Sequence, residues 1–259
     1  MIAFARRHGP AVLGLAIAAV ALQPDGDELR ELGAAIVRPA VLPFAWRSLG
    51  DAGRTADPVE AFARAQHLMR FLPAWIDGHC AFAFRYALSE EPAVTDERQR
   101  GERARVRLEL AMAWLESVRP RAGRHELDLL QGLAFLPEVA CRREPALAAL
   151  LATSGGAAAM ADPWLAEAER RFPSAAVREQ RTFFAPTLAA GLLAAGDRSG
   201  AIAVLLAAIE RSRDVRDQEL ATIWRQRLQD VVARLQGAPV DLAAVAADAR
   251  FALLLPHLR

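Results

Sequence analysis

Residues 182–213, TFFAPTLAAGLLAAGDRSGAIAVLLAAIERSR, restrict the fold more than any other stretch of the chain. Ala185, Leu188, Ala189 and Leu192 recur at the spacing of one helix face, Gly196 and Asp197 interrupt it, and Ala201, Leu205 and Ala208 resume it. The pattern predicts a helix, a tight turn and a second helix. Small residues alternate with large ones on the facing sides, so alanine on one rod can accept leucine from the other and the axes can approach closely.

The rest of the sequence agrees with a helical body. Its 53% hydrophobic share slightly exceeds the usual ~45–50%, largely through alanine, which favours helix and adds little volume. A length of 259 residues allows one large or two small domains. With 32 basic and 31 acidic residues, a formal charge of +1, the chain lacks the electrostatic footprint of a nucleic-acid binder, and no such partner is expected. Lysine and asparagine are both absent, for which biased codon use in a GC-rich genome suffices. The missing lysine excludes Schiff-base cofactors, phosphate-loop lysines and the kinase strand lysine. Cys80 and Cys141 are too few for a disulfide framework and read as small core residues, with pairing as the alternative if the domain is exported.

At the N-terminus, Arg6, Arg7 and His8 precede an uncharged run over residues 9–22, and acidic residues follow. Positive, apolar, acidic is the order of an export signal, with Ala19 and Ala21 as a cleavage pair. The run is shorter than the ~20 residues of a spanning helix. Residues 1–24 are therefore expected to be a signal or membrane anchor, the alternative being a helix packed on the body. Either export reading places residues 25–259 outside the cytoplasm, in the periplasm or on the outer side of a bacterial inner membrane; a packed helix would leave them cytoplasmic.

Further helix pairs can be read upstream. Trp46, Leu49 and Gly50 fit the opening W-x2-L-G, Asp57-Pro58 begins a second helix bearing Ala61, Ala65 and Leu68, and Pro73 closes it. His79, Phe82, Ala83 and Tyr86 repeat the relative spacing, and Ala104, Leu108 and Ala111 supply a second helix after a charged insertion over residues 89–102. Over residues 120–175, Leu127, Leu130 and Leu133 suggest a helix to about Cys141, Glu144-Pro145 starts a short one, and Asp162-Pro163 starts another. That stretch reads as either an eroded repeat or a spacer. Two amphipathic capping helices are expected over residues 216–255, one carrying Leu220, Ile223, Trp224 and Leu228, the other Leu242, Val245, Ala249 and Leu253.

The matches over residues 40–73, 75–116 and 182–213 resemble the tetratricopeptide repeat, W-x2-L-G-x2-Y followed by A-x3-F and P. The resemblance implies an all-α solenoid of stacked antiparallel hairpins whose inner surface holds a protein or peptide. Carried over by spacing, that surface comprises Phe44, Arg47 and Asp51, then Asp77, Cys80, Phe84 and Ala87, then Phe183, Pro186, Ala190 and Leu193. The last set is wholly apolar and suits an amphipathic helix, the simplest being the chain's own C-terminal one. Pro186 departs from the repeat pattern. Family members that grip C-terminal carboxylates use groove lysine and asparagine, which this chain lacks.

No motif for catalysis, metal or cofactor emerges, and no cofactor is expected. His8, His67, His79, His125 and His257 are scattered. His79 and Cys80 diverge by about 100° on a helix and read as core-lining residues. His125-Glu126, Glu90-Glu91 and the Glu167, Glu169 pair read as solvated, whereas a catalytic pair needs a buried cleft to separate its pKa values. Trp46, Trp75, Trp114, Trp164 and Trp224 read as core rather than as a base-stacking platform. The expected function is a protein-interaction scaffold and not an enzyme; the alternative is a helical-solenoid hydrolase or lytic enzyme. Oligomeric state is left open.

Overall fold

The computed structural model describes residues 43–44, 47, 57–69, 75–90 and 94–258. The N-terminal segment, Trp46, Asp51 and Pro73 lie outside the described residues. All regular elements among the described residues are helical, in ten α-helices with short 3-10 turns. They are α1 Pro58–Met69, α2 Ile76–Ala87, α3 Glu97–Val118, α4 Glu126–Arg143, α5 Pro145–Ala152, α6 Gly156–Arg171, α7 Ala175–Ala194, α8 Arg198–Arg211, α9 Gln218–Leu235 and α10 Ala243–Ala246. None of them is long and apolar enough to cross a membrane.

The chain divides into two compact units, one holding residues 1–94 and 106–125, the other residues 95–105 and 126–259. In the first, Asp57 opens α1 by accepting the amide of Val59 at 2.8 Å, as its position before proline predicts. The core is aromatic: Phe62 lies 5.2 Å from Tyr86 and 5.9 Å from both Phe82 and Trp114, ring centre to ring centre. Edge-to-face packing of Trp114 on Phe62 and Phe82 suits the ring quadrupoles. The Tyr86 hydroxyl donates to the Pro58 carbonyl, and burial raises its pKa.

In the second unit the main helices pack in chain order: α4 on α6, α6 on α7, α7 on α8, and α8 on α9. The α7–α8 turn explains why Gly196 breaks the pattern. Gly196 adopts φ 84°, its amide reaches Leu193, and the Asp197 amide reaches the Leu192 carbonyl at 2.8 Å. That is a Schellman stop, whose left-handed residue favours glycine. Asp197 then caps α8 by accepting from the Gly200 amide at 2.8 Å. Ala185, Ala189, Ala201, Leu205 and Ala208 are buried together, joined by Trp224, Leu228, Val231 and Phe251.

Several expected boundaries move. α7 begins at Ala175, capped by Ser174, so Thr182 and Pro186 are interior to it. Asp162-Pro163 does not start a helix; both lie within α6, whose start is the glycine turn at 155–156. The second capping helix shrinks to Ala243–Ala246 because the Asp248 carboxylate accepts the Arg250 amide and turns the chain into 3-10 geometry. Phe251, Leu254 and Leu258 are buried instead of Ala249 and Leu253. On α9, Trp224 and Leu228 are buried as expected, but Ile223 is exposed.

Candidate functional site

The residues assigned to the inner surface separate into two kinds. Phe44, Arg47 and Asp77 are exposed, and Phe84 is half-buried. Ala87 is buried, and Cys80 is half-buried. In the second unit, by contrast, Pro186 and Ala190 are buried, while Phe183 and Leu193 pack against the core. Phe183 packs edge-to-face with Trp224 at 4.9 Å between ring centres, and Phe251 lies 4.8 Å from the same Trp224. The chain's own C-terminal segment thus covers this apolar face, as 3-10 turns rather than as the anticipated helix.

An ionic clamp holds that segment. Asp248 accepts from Arg250 at 2.7 and 2.9 Å and also from Arg227. The Arg250 guanidinium lies 4.4 Å over the Trp224 ring and 5.3 Å over Phe183, a cation–π arrangement. Hydrogen bonds from Arg250 hold the Asp248 carboxyl below its usual pKa, against the opposing effect of burial.

On its other side α7 borders a cavity of about 670 Å³, within the range of small-molecule pockets. Phe184, Thr187, Gly191 and Ala194 of α7 form one wall, Ala157 and Ala158 of α6 another, and Cys141 of α4 a third. Leu253 and His257 of the C-terminal segment close the outline. Glu138 and Arg142 line it as an ion pair at 2.7 Å. Burial first and then the charge of Glu138 push the Cys141 thiol up to about 11.

The glycine turn shapes this cavity. Gly155 and Gly156 hold φ 87° and 72°, and a methyl group added at Gly191 would collide with the Gly155 carbonyl. No side chain caps the start of α6. Its first amides, which a helix leaves without internal partners, are those of residues that line the cavity.

A second, ionic cluster joins α6, α7 and α8. Arg181 donates to Glu169 at 2.7 Å and to Asp162 at 3.2 Å beside a void of about 50 Å³ that Arg211 also lines. Burial, and then the charge of Arg181, lower the pKa of Arg211. The expectation that Glu169 is solvated is therefore corrected: it is half-buried in this network. So is that for Glu126, which is buried and pairs with Arg171 at 2.5 Å. His79 is buried beside Trp114, at 5.3 Å between rings, and reads as core.

No family model, curated protein or solved structure matches the chain. Its function is therefore argued from geometry alone. Among the described residues no group of three or more His, Cys, Asp or Glu side chains could hold a metal ion. The cavity escaped the sequence reading because its walls come from four separated stretches; the one local signal was the glycine pair at 155–156.

Proposed function

We propose that the chain is a tetratricopeptide-like helical scaffold that holds a protein or peptide partner, carried outside the cytoplasm by residues 1–24. The observation that carries this reading is the serial packing of α4, α6, α7, α8 and α9, each on the next in chain order. Serial packing of helix pairs is how a solenoid builds a continuous core from local units while leaving a broad surface for recognition. The partner surface is the part of the assigned set that includes Arg47, Asp77 and Phe84, because the C-terminal segment covers the Phe183 face.

The test is co-purification of the full chain from its native host, followed by reconstitution with the purified candidate. Saturable, stoichiometric binding that weakens on Asp77→Arg or Phe84→Ala supports the scaffold. Failure to bind any protein, together with turnover of a small substrate, overturns it. Fractionation of the tagged chain tests the export part separately: a purely cytoplasmic pool would defeat that part alone.

A further inference from the structure

The cavity of about 670 Å³ beside α7 is not needed by a scaffold. We infer that it is a binding site for one uncharged lipophile, a small apolar molecule carrying at most one hydroxyl or carbonyl, held between α6 and α7. This inference does not rest on the scaffold reading.

Three observations select that chemistry. The wall is apolar and held in place: Ala158 and Ala190 are buried, Phe184 is half-buried, and α7 abuts the glycine turn through backbone, since a methyl group at Gly191 would strike the Gly155 carbonyl. A methyl group at Gly156, by contrast, would meet nothing within 4 Å, so the turn leaves space beside it. The second observation is that the charges stand at the mouth. Arg142 is 72% exposed and already paired with Glu138 at 2.7 Å, and His257 is exposed. The remaining lining side chains able to hydrogen-bond are the Thr187 hydroxyl and the Cys141 thiol, both neutral and enough for a single hydroxyl or carbonyl of a ligand. Third, the lining opposes negative charge: burial first and then Glu138 push the Cys141 thiol up to about 11. An anion would meet the same two penalties, with no unpaired guanidinium in the lining to offset them. An uncharged apolar body gains by leaving water and asks for little else.

The test titrates the full chain with N-phenyl-1-naphthylamine, uncharged near neutral pH, whose fluorescence should saturate at one probe per chain. 1-Decanol should displace the probe. 1-Octanol should bind roughly sixteenfold more weakly, since each buried methylene is worth roughly fourfold, and decanoate about tenfold more weakly or worse, because its charge must leave water. Saturating 1-decanol should slow iodoacetamide labelling of Cys141, which lines the cavity, and leave that of Cys80 unchanged. Ala157→Trp and Ala194→Trp, at half-buried and exposed lining positions, should each abolish binding without lowering the melting temperature by more than a few degrees, whereas Arg142→Gln should leave 1-decanol affinity unchanged. Absence of saturable binding overturns the inference, as does decanoate affinity equal to or above that of 1-decanol, or loss of 1-decanol affinity in Arg142→Gln. So does Cys141 labelling that 1-decanol leaves unchanged, a readout on the parent chain, or unaltered binding in both tryptophan variants where they fold.

Discussion

Helix α7 meets the same kind of small side chain with two different results. Toward α8 and α9 its Ala185 and Ala189 share one buried cluster with Leu205, Ile209 and Trp224, and apart from the small void beside Arg211 the seam is closed. Toward α6 and the C-terminal segment its Gly191 and Ala194 face Ala157, Ala158 and a glycine turn, and a cavity remains. Alanine lets helices come close only where the opposite rod supplies bulk. Where both sides are small, the same composition leaves space.

Substitution on each side should expose the contrast. Leu205 is fully buried in the closed seam, so Leu205→Ala should cost about 2–5 kcal/mol in denaturant unfolding, the range for core truncation with partial relaxation. Thr187→Ala, on the half-buried open side, should change stability by no more than about 0.5 kcal/mol. Equal costs would mean the two sides are packed alike.

Gly191 is the exception on the open side. Because a side chain there would strike the Gly155 backbone, Gly191→Ala should destabilise by about 1–3 kcal/mol, as overpacking does. A neutral result would show that the turn at 155–156 can retreat, and the cavity would then have no fixed shape.

The contrast also marks what could be read in advance. The closed seam was legible because its signal is local: a periodic face, a glycine at the reversal and an aspartate cap are all written within residues 182–213. The helical class followed from the same periodicity, whereas the cover over Phe183 was an implication of the repeat resemblance and takes the form of 3-10 turns in place of the expected helix. Asp162-Pro163 misled because aspartate before proline is a start signal, yet here the tertiary contacts of α6 carry a proline in its interior. The expected second capping helix failed on one side chain, since the Asp248 carboxylate accepts the Arg250 amide two residues on in preference to continuing the helix. The Arg181 cluster has no local signature, and the cavity has only the glycine pair at 155–156.

The clamp over the closed side gives a pH-dependent contrast. Hydrogen bonds from Arg250 depress the folded-state pKa of Asp248, so its contribution is fully present above the ordinary carboxylate value, near ~3.9, and is lost as pH falls through the folded value. Asp248→Asn should therefore be less stable than the parent by about 1 kcal/mol at pH 7, with the difference shrinking below about pH 4. A gap that persists unchanged into acid would show that Asp248 acts through packing and not through charge.

The smallest effect concerns Cys141, which borders the open side. Its thiol is pushed up to about 11, chiefly by burial and then by Glu138, and only the thiolate is alkylated. Iodoacetamide labelling, resolved by mass spectrometry from that of Cys80, should be slower than for an unfolded cysteine at pH 8. It should keep rising, roughly tenfold per pH unit, well past pH 9, where a free thiol of ordinary pKa near ~8.5 has levelled off. Glu138→Gln should shift that rise to lower pH, because the carboxylate's repulsion of the thiolate is removed while the burial remains. A profile that plateaus near pH 9 in the parent would place the thiol in open water, and the wall that α4 contributes to the cavity would have to be redrawn.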